Sequence, residues 1–315
     1  MKKILITPRS FSKARHVADN ILANYEQIEI VENTTGKTLS EENMAKLCSD
    51  IDGVIVGIDP MSVKVLKGAK RLKAISKYGA GLDNIDLDMT KKLNIEVDRA
   101  ANANALSVAE LAVGLMFTIA RDIVPTAINV KRGIWERAKV AGCELRGKTA
   151  GIVGLGAIGK EVAKMVKGIG MDVIAFDPYL KDKDVIRTYD ISMVELDELF
   201  KTADFISLHC PLTDETRHII DEDTLSIMKT TAYLINTSRG ELVDEEALYK
   251  ALIGKTIAGA AQDVFSKEPA GKHKLLDLPN FVLTPHTGAY TRESTERMVE
   301  QATQNLVRML ELRKR

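Results

Sequence analysis

Four residues stand just past short apolar runs, and their types suit acid–base chemistry on a carbonyl that has a carboxylate beside it. His209 follows the run 205–208 and His286 follows 281–284. Imidazole titrates closest to neutral pH, which makes histidine the first choice for a proton carrier. Arg239, after the run 232–236, offers a fork of parallel N–H donors that can hold and orient a carboxylate. Glu268, beyond the run 257–261, can accept from one imidazole nitrogen, fix the tautomer and raise the basicity of the other. Each has an ordinary alternative: a hydrogen-bonded structural histidine, a surface arginine, a solvated or helix-capping carboxylate. His16 on an early amphipathic stretch, and His218 and His273 in polar surroundings, read as solvated. The cysteines Cys48, Cys143 and Cys210 are widely spaced with no Cys-x-x-Cys, so neither a disulfide framework nor a metal site is expected.

A second constellation concerns phosphate. The apolar run 149–153 enters Gly154-Leu155-Gly156-Ala157-Ile158-Gly159, and a helical stretch follows. Gly154 suits a tight turn, Gly156 lets backbone approach a pyrophosphate, and Gly159 lets helix and strand pack closely. The helix start, at Ala157 and Ile158, presents unpaired N–H groups and the positive end of the helix dipole. The helix is expected to stop at Gly168 and Gly170. Asp177 ends the next apolar run, 18 residues after Gly159, where a carboxylate can accept from ribose hydroxyls and repel a 2′-phosphate. Glycine turns of this kind are common. The strand before, the helix after and the acid beyond together point to a dinucleotide, and to NAD over NADP because Pro178-Tyr179 supplies no arginine.

These residues need a scaffold that brings strand ends together. Runs at 3–7, 53–57 and 72–76 alternate with helical stretches such as 40–49, capped by Ser40. A second series reads as strands at 148–153, 173–176, 205–208, 232–236, 257–261 and 281–284. Such alternation implies parallel strands with helices on both faces, hence an α/β chain of two doubly wound domains, with ligands at the carboxyl ends of the strands. Apolar residues at helical spacing predict one long helix from 104 to about 130, and another over 291–312.

Composition narrows the partners. Lys plus Arg equals Asp plus Glu at 44 each, so the basic excess expected of a nucleic-acid binder is missing. The segment 111–120 is too short to span a membrane, and 4–6 is too short for a signal-peptide core. A cytoplasmic protein with a small-molecule partner is expected, without nucleic acid or membrane.

In order along the chain, the turn 154–159, His209-Cys210-Pro211-Leu212-Thr213, Asn236-Thr237-Ser238-Arg239-Gly240, Asp263-Val264-Phe265 with Glu268-Pro269, and Thr284-Pro285-His286 resemble the D-isomer-specific 2-hydroxyacid dehydrogenase family. The likeness extends to 77–86 and 104–110. Gly133-Ile134-Trp135-Glu136-Arg137 and 144–149 are most similar to its D-3-phosphoglycerate dehydrogenases. The resemblance implies a flavodoxin-like substrate domain over 1–100 and 287–315, and a Rossmann NAD-binding domain over 101–286, with the active site in a cleft that closes on substrate. It implies that Arg239 binds the carboxylate and polarises the carbonyl, His286 exchanges the proton, and Glu268 pairs with His286. Lys77, Tyr78, Gly79, Ala80 and Gly81 would serve the substrate, the glycine-rich backbone offering N–H groups. Cys210, Pro211, Thr216, Thr237, Ser238, Asp263 and Gly288 would line the cofactor beside Arg239 and His286, and Asp177 would hold the adenosine ribose.

The chain departs from the family pattern at Arg99-Ala100-Ala101-Asn102, where Asn-Thr-Pro-Gly is often found, and Lys77 stands where the phosphoglycerate enzymes tend to have an arginine. The expected reaction is hydride transfer between NAD(H) and a D-2-hydroxy or 2-keto acid, with D-3-phosphoglycerate as first choice. The alternative is an unphosphorylated acid such as hydroxypyruvate or glyoxylate, the choice turning on whether Lys77 and Arg137 reach a phosphate. An NAD-sensing, corepressor-like binding module is the remaining reading. A homodimer is expected, and serine feedback through a C-terminal regulatory domain is not.

Overall fold

The computed structural model describes residues 1–136, 142–180 and 184–313. The chain divides into two compact units, Met1–Asn104 with Ala289–Arg315, and Ala105–Gly288.

The first unit is built on a five-stranded parallel sheet. Its strands are β1 (Lys2–Ile6), β2 (Ile28–Glu32), β3 (Gly53–Val56), β4 (Ala74–Lys77) and β5 (Glu96–Arg99), in the order β2-β1-β3-β4-β5. The central strands β3 and β4 are buried along their whole length, as parallel strands covered on both faces must be. One face packs Leu5, Val54 and Ile75 on Met44 and Val65 from helices Glu41–Cys48 and Val63–Gly68. The other packs Ile4, Ile55 and Ala74 on Val299, Ala302 and Leu306 of the C-terminal helix Arg292–Met309. Thr291 caps that helix by accepting from Ser294 N–H, and Ser76 Oγ donates to the Ala302 carbonyl at 2.7 Å. The strand order is that of a flavodoxin-like fold.

The second unit holds β6 (Thr149–Val153), β7 (Asp172–Phe176), β8 (Ile191–Met193), β9 (Phe205–Leu208), β10 (Tyr233–Asn236), β11 (Gly259–Gln262) and β12 (Phe281–Leu283). All pair in parallel, in the order β12-β11-β10-β9-β6-β7-β8. The order reverses between β6 and β9, the place where doubly wound sheets open a crevice for ligands. Helix Ala105–Ala120 lies against one face through Ala109, Ala112, Met116 and Ile119, with Ile152, Ile235 and Ala261 opposite.

Two sequence expectations fail locally. The single helix from 104 to about 130 is two helices, Ala105–Ala120 and Ile123–Lys131, bent 65° apart. Asp122 breaks them with φ +49°, a left-handed conformation that aspartate tolerates better than most residues. The helix Ala157–Ile169 also runs through Gly168 and ends only at Gly170, whose φ of +91° satisfies the last turn. No single helix among the described residues is long and apolar enough to cross a membrane.

Candidate active site

The glycine-rich turn joins β6 to the helix Ala157–Ile169 and is held by close backbone contacts. Gly154 has φ +95°, and a Cβ there would stand 2.8 Å from Cys210 N at the end of β9. A Cβ on Gly159 would fall 2.0 Å from the Gly154 carbonyl, so helix and turn can touch there only because Gly159 lacks one. Gly156 is exposed and a Cβ there meets nothing within 4 Å, which leaves its backbone open to an incoming group. No side chain caps the helix, so the N–H groups of Ala157 and Ile158 face out from its first turn. Asp177 closes the turn: its carboxylate accepts from Leu155 N–H at 2.8 Å and Tyr179 N–H at 2.9 Å.

Among the described residues, polar atoms at three neighbouring strand ends are buried without a protein partner: His209 Nδ1 past β9, Thr237 Oγ1 past β10 and both side-chain amide atoms of Gln262 at the end of β11. An open glycine cradle, an uncapped helix start and orphaned polar atoms at the switch point together fit a dinucleotide. His209 itself is no proton carrier at neutral pH. Burial pushes its imidazole down to about 3, and Nε2 bonds Ser207 Oγ at 2.8 Å. Burial likewise pushes the Cys210 thiol up to about 11, with the Asp177 charge adding to it.

Arg239, Glu268 and His286 lie around one recess of about 230 Å³ in the second unit. Asn236, fully buried at the end of β10, shapes the turn that carries Arg239: its amide donates to the Arg239 carbonyl at 2.8 Å and its Oδ1 accepts from Ser238 N–H at 3.0 Å. Ser238 Oγ donates to the Cys210 carbonyl and Arg239 Nη1 to the Ser238 carbonyl, both at 2.7 Å. Gly240 then runs against the 265–266 peptide so closely that a Cβ would sit 2.0 Å from Phe265 C. Gly240→Ala is therefore expected to spread the two loops and lower kcat/KM about 100-fold, with NADH affinity retained, as steady-state kinetics and fluorescence titration would show.

Glu268 bridges that second loop to the histidine. One oxygen accepts from Phe265 N–H at 3.1 Å and the other meets His286 Nδ1 at 2.7 Å. Burial alone would raise the Glu268 carboxyl, but the hydrogen bond and charge of His286, the Phe265 N–H and the Arg239 charge outweigh it and hold it below the usual range. With Nδ1–H committed to the carboxylate, Nε2 is the nitrogen left for a substrate. The His286 side chain is 47% exposed, so that nitrogen is reachable.

The His286 turn is organised by Asp263, whose side chain is almost wholly buried. Its Oδ1 accepts from Thr284 Oγ1 at 2.5 Å and Thr287 N–H at 2.8 Å, and its Oδ2 from Gly288 N–H at 2.7 Å. The Asp263 carbonyl takes His286 N–H, and His286 sits at φ +54°. Both polar groups of Gly288 are engaged, since its carbonyl accepts from Ser107 Oγ. Thr216 similarly closes its own loop, donating to the Pro211 carbonyl and accepting from Thr213 N–H. Asp263 and Gly288, expected to line a cofactor, bond inward within the His286 turn, and Thr216 bonds within its own exposed loop.

In the first unit, Gly79, Ala80 and Gly81 form a half-exposed turn after β4, and Gly79 has φ +125°. Their N–H groups meet no acceptor among the described residues. Lys77 and Tyr78 do not present their side chains as expected. Lys77 is 6% exposed and its ammonium donates to the Gly57 carbonyl and to Asn84 Oδ1 at 2.6 Å. The Tyr78 ring packs near Phe11 and its hydroxyl accepts from Ser10 Oγ. Arg137 lies outside the described residues.

Sequence reasoning passed over Asn236 and Glu245. Glu245 accepts from Ser266 N–H at 2.7 Å and pairs with His273 at 3.7 Å, bracing the loop that carries Glu268. The signal for Asn236 was present, because asparagine before Thr-Ser at a strand end is a side-chain-closed turn.

The profile of the D-isomer specific 2-hydroxyacid dehydrogenase, NAD binding domain, matches residues 113–288. A hydroxypyruvate reductase of Thermotoga maritima is 41% identical over 285 residues, 89% of this chain and 90% of that protein. A D-3-phosphoglycerate dehydrogenase of Methanocaldococcus jannaschii is 41% identical over 296 residues, 93% of this chain and 55% of that protein. The chain thus spans about half the length of the phosphoglycerate dehydrogenases it matches. Among solved structures, the TT0316 protein of Thermus thermophilus superposes with a TM-score of 0.85 at 33% identity, covering 98% of this chain and 97% of that one.

Proposed function

The chain belongs to the D-isomer-specific 2-hydroxyacid dehydrogenase family, and from that premise we propose that it interconverts a D-2-hydroxy acid and its 2-keto acid with NAD(H). The observation that carries the reading is the Glu268–His286 pair facing the same recess as Arg239, in the unit that holds the NAD-binding domain.

NAD(H), which the turn 154–159 and Asp177 would hold, would supply hydride chemistry at the carbonyl carbon in either direction. Arg239 holds the substrate carboxylate through its guanidinium fork and draws electron density from the adjoining carbonyl. His286 delivers the proton from Nε2 to the carbonyl oxygen, and takes it back during oxidation. Glu268 keeps the ring oriented and supports the imidazolium by its charge. Gly79, Ala80 and Gly81 supply backbone N–H groups to the carboxylate.

D-3-phosphoglycerate is the proposed substrate, in keeping with the many matching phosphoglycerate dehydrogenases. The inward ammonium of Lys77 favours a second reading, an unphosphorylated acid such as hydroxypyruvate or glyoxylate. NADH oxidation against phosphohydroxypyruvate, hydroxypyruvate, glyoxylate and pyruvate separates the two by kcat/KM. Tight NADH binding with no turnover of any of them would instead leave an NAD-responsive binding module.

The protein acts as a homodimer in this proposal, in a reducing cytoplasm that suits its three free thiols. Support for the dimer is the helix Ile123–Lys131, which buries none of its residues yet exposes Ile123, Val124, Ile128 and Val130. Val124→Glu with Ile128→Glu is expected to convert a dimer to a monomer in sedimentation velocity. A wild-type monomer would discard the assignment.

A further inference from the structure

Arg99 stands where the family pattern has asparagine, and the structure gives it a task. It is the last residue of β5, in register with Lys77, the last residue of β4, so it lies beside the turn that β4 feeds. Its backbone is pinned: Arg99 N–H donates to Asp98 Oδ1 at 2.7 Å, and Asn305 Nδ2 donates to the Arg99 carbonyl at 3.0 Å. From that anchorage Nη1 donates to the Ala80 carbonyl at 2.9 Å. No carboxylate among the described residues forms an ion pair with the guanidinium.

The consequence follows from peptide geometry. The 80–81 peptide is trans, so its carbonyl and its N–H point in opposite directions. A donor fixed on the Ala80 oxygen therefore fixes the direction of the Gly81 N–H. A cation on that oxygen also polarises the amide and strengthens the N–H as a donor. The turn needs such a tether, because Gly79, with φ +125° and no side chain, gives the backbone little resistance to rotation.

We propose that Arg99 is a positioning residue for substrate: it holds the Ala80–Gly81 peptide so that the Gly81 N–H is presented to the substrate carboxylate. The proposal rests on the reading that residues 79–81 receive that carboxylate. Arg99 contacts neither substrate nor cofactor and acts through the peptide.

The test compares wild type, Arg99→Ala and Arg99→Lys in NADH-dependent reduction of the best 2-keto acid from the panel, with NADH affinity by fluorescence and Tm measured in parallel. Arg99→Ala is expected to raise KM for the keto acid about tenfold, the effect of losing one charge-assisted hydrogen bond. Saturating kcat is expected within about threefold of wild type, with the NADH dissociation constant unchanged. Arg99→Lys, which retains a cationic donor, is expected to recover most of the lost KM. An unchanged KM in Arg99→Ala overturns the proposal, as does a KM that rises only together with a fall in Tm and in NADH affinity. Wild type without activity on any keto acid would refute the dehydrogenase reading itself, a result distinct from either.

Discussion

His286→Gln is expected to lower kcat for keto-acid reduction by about 10²- to 10⁴-fold while NADH binds as before. The reason is geometric. The imidazole has its Nδ1 on Glu268 at 2.7 Å and lines the same recess as Arg239, whereas a glutamine amide cannot give up a proton. His209 cannot substitute, since burial keeps it neutral down to about pH 3. Glu268→Gln extends the prediction to pH. The Glu268 carboxyl sits below its usual range in the folded protein, so the pair's contribution to stability is complete above about pH 4.3 and is lost as pH falls through that lowered value. Glu268 therefore stays ionised across the neutral range. Replacing it removes the ionised acceptor that holds the ring, so Glu268→Gln is expected to lack that acid-side loss of stability and to lower kcat about tenfold. Full kcat in Glu268→Gln would remove Glu268 from the proton relay, and full kcat in His286→Gln would remove His286.

Asp263→Asn is expected to lose about 100-fold in kcat/KM and to lower Tm by about 6 °C, from a site that need not touch substrate. The carboxylate is nearly fully buried and accepts from Thr284 Oγ1, Thr287 N–H and Gly288 N–H. An amide has one acceptor oxygen and turns N–H donors toward one of these donors, leaving a buried backbone group unpaired at a cost of about 2 kcal/mol. For a domain of this size that cost corresponds to the stated change in Tm. The turn between β12 and Gly288 then loses what fixes His286 at φ +54°, and a shift of about 1 Å accounts for the kinetic loss. Differential scanning calorimetry with steady-state kinetics measures both. A variant that is less stable yet turns over normally would separate Asp263 from the chemistry.

Much of this was legible from residue order, and the parts that were not share physical causes. The buried central strands declared themselves because all their residues are apolar or small, as in Gly53–Val56 and Phe205–Leu208. The strands β2, β5 and β8 did not, and each lies at the edge of its sheet. An edge strand is half solvated, so Glu96–Arg99 has one apolar residue in four and shows no pattern to read. The break at Asp122 was hidden because apolar residues continue at helical spacing on both sides of it. At the candidate site, residue types at strand ends pointed to Arg239, Glu268 and His286, and the structure places all three around one recess. The same reasoning did not show that Asp263 and Lys77 are bonded inward. Residue type tells that a group can donate or accept, but not which backbone groups the fold will place beside it.

The proton-handling residues and the glycine turn all fall within Ala105–Gly288, while the turn 79–81 and its tether Arg99 belong to the other unit. In the proposed reaction, one continuous stretch of chain carries both the proton relay and the arginine for the carboxylate, and the turn of the other unit adds only backbone donors. A change at 79–81 or Arg99 is then expected to alter how tightly an acid is held while the relay of Glu268 and His286 stays as it is.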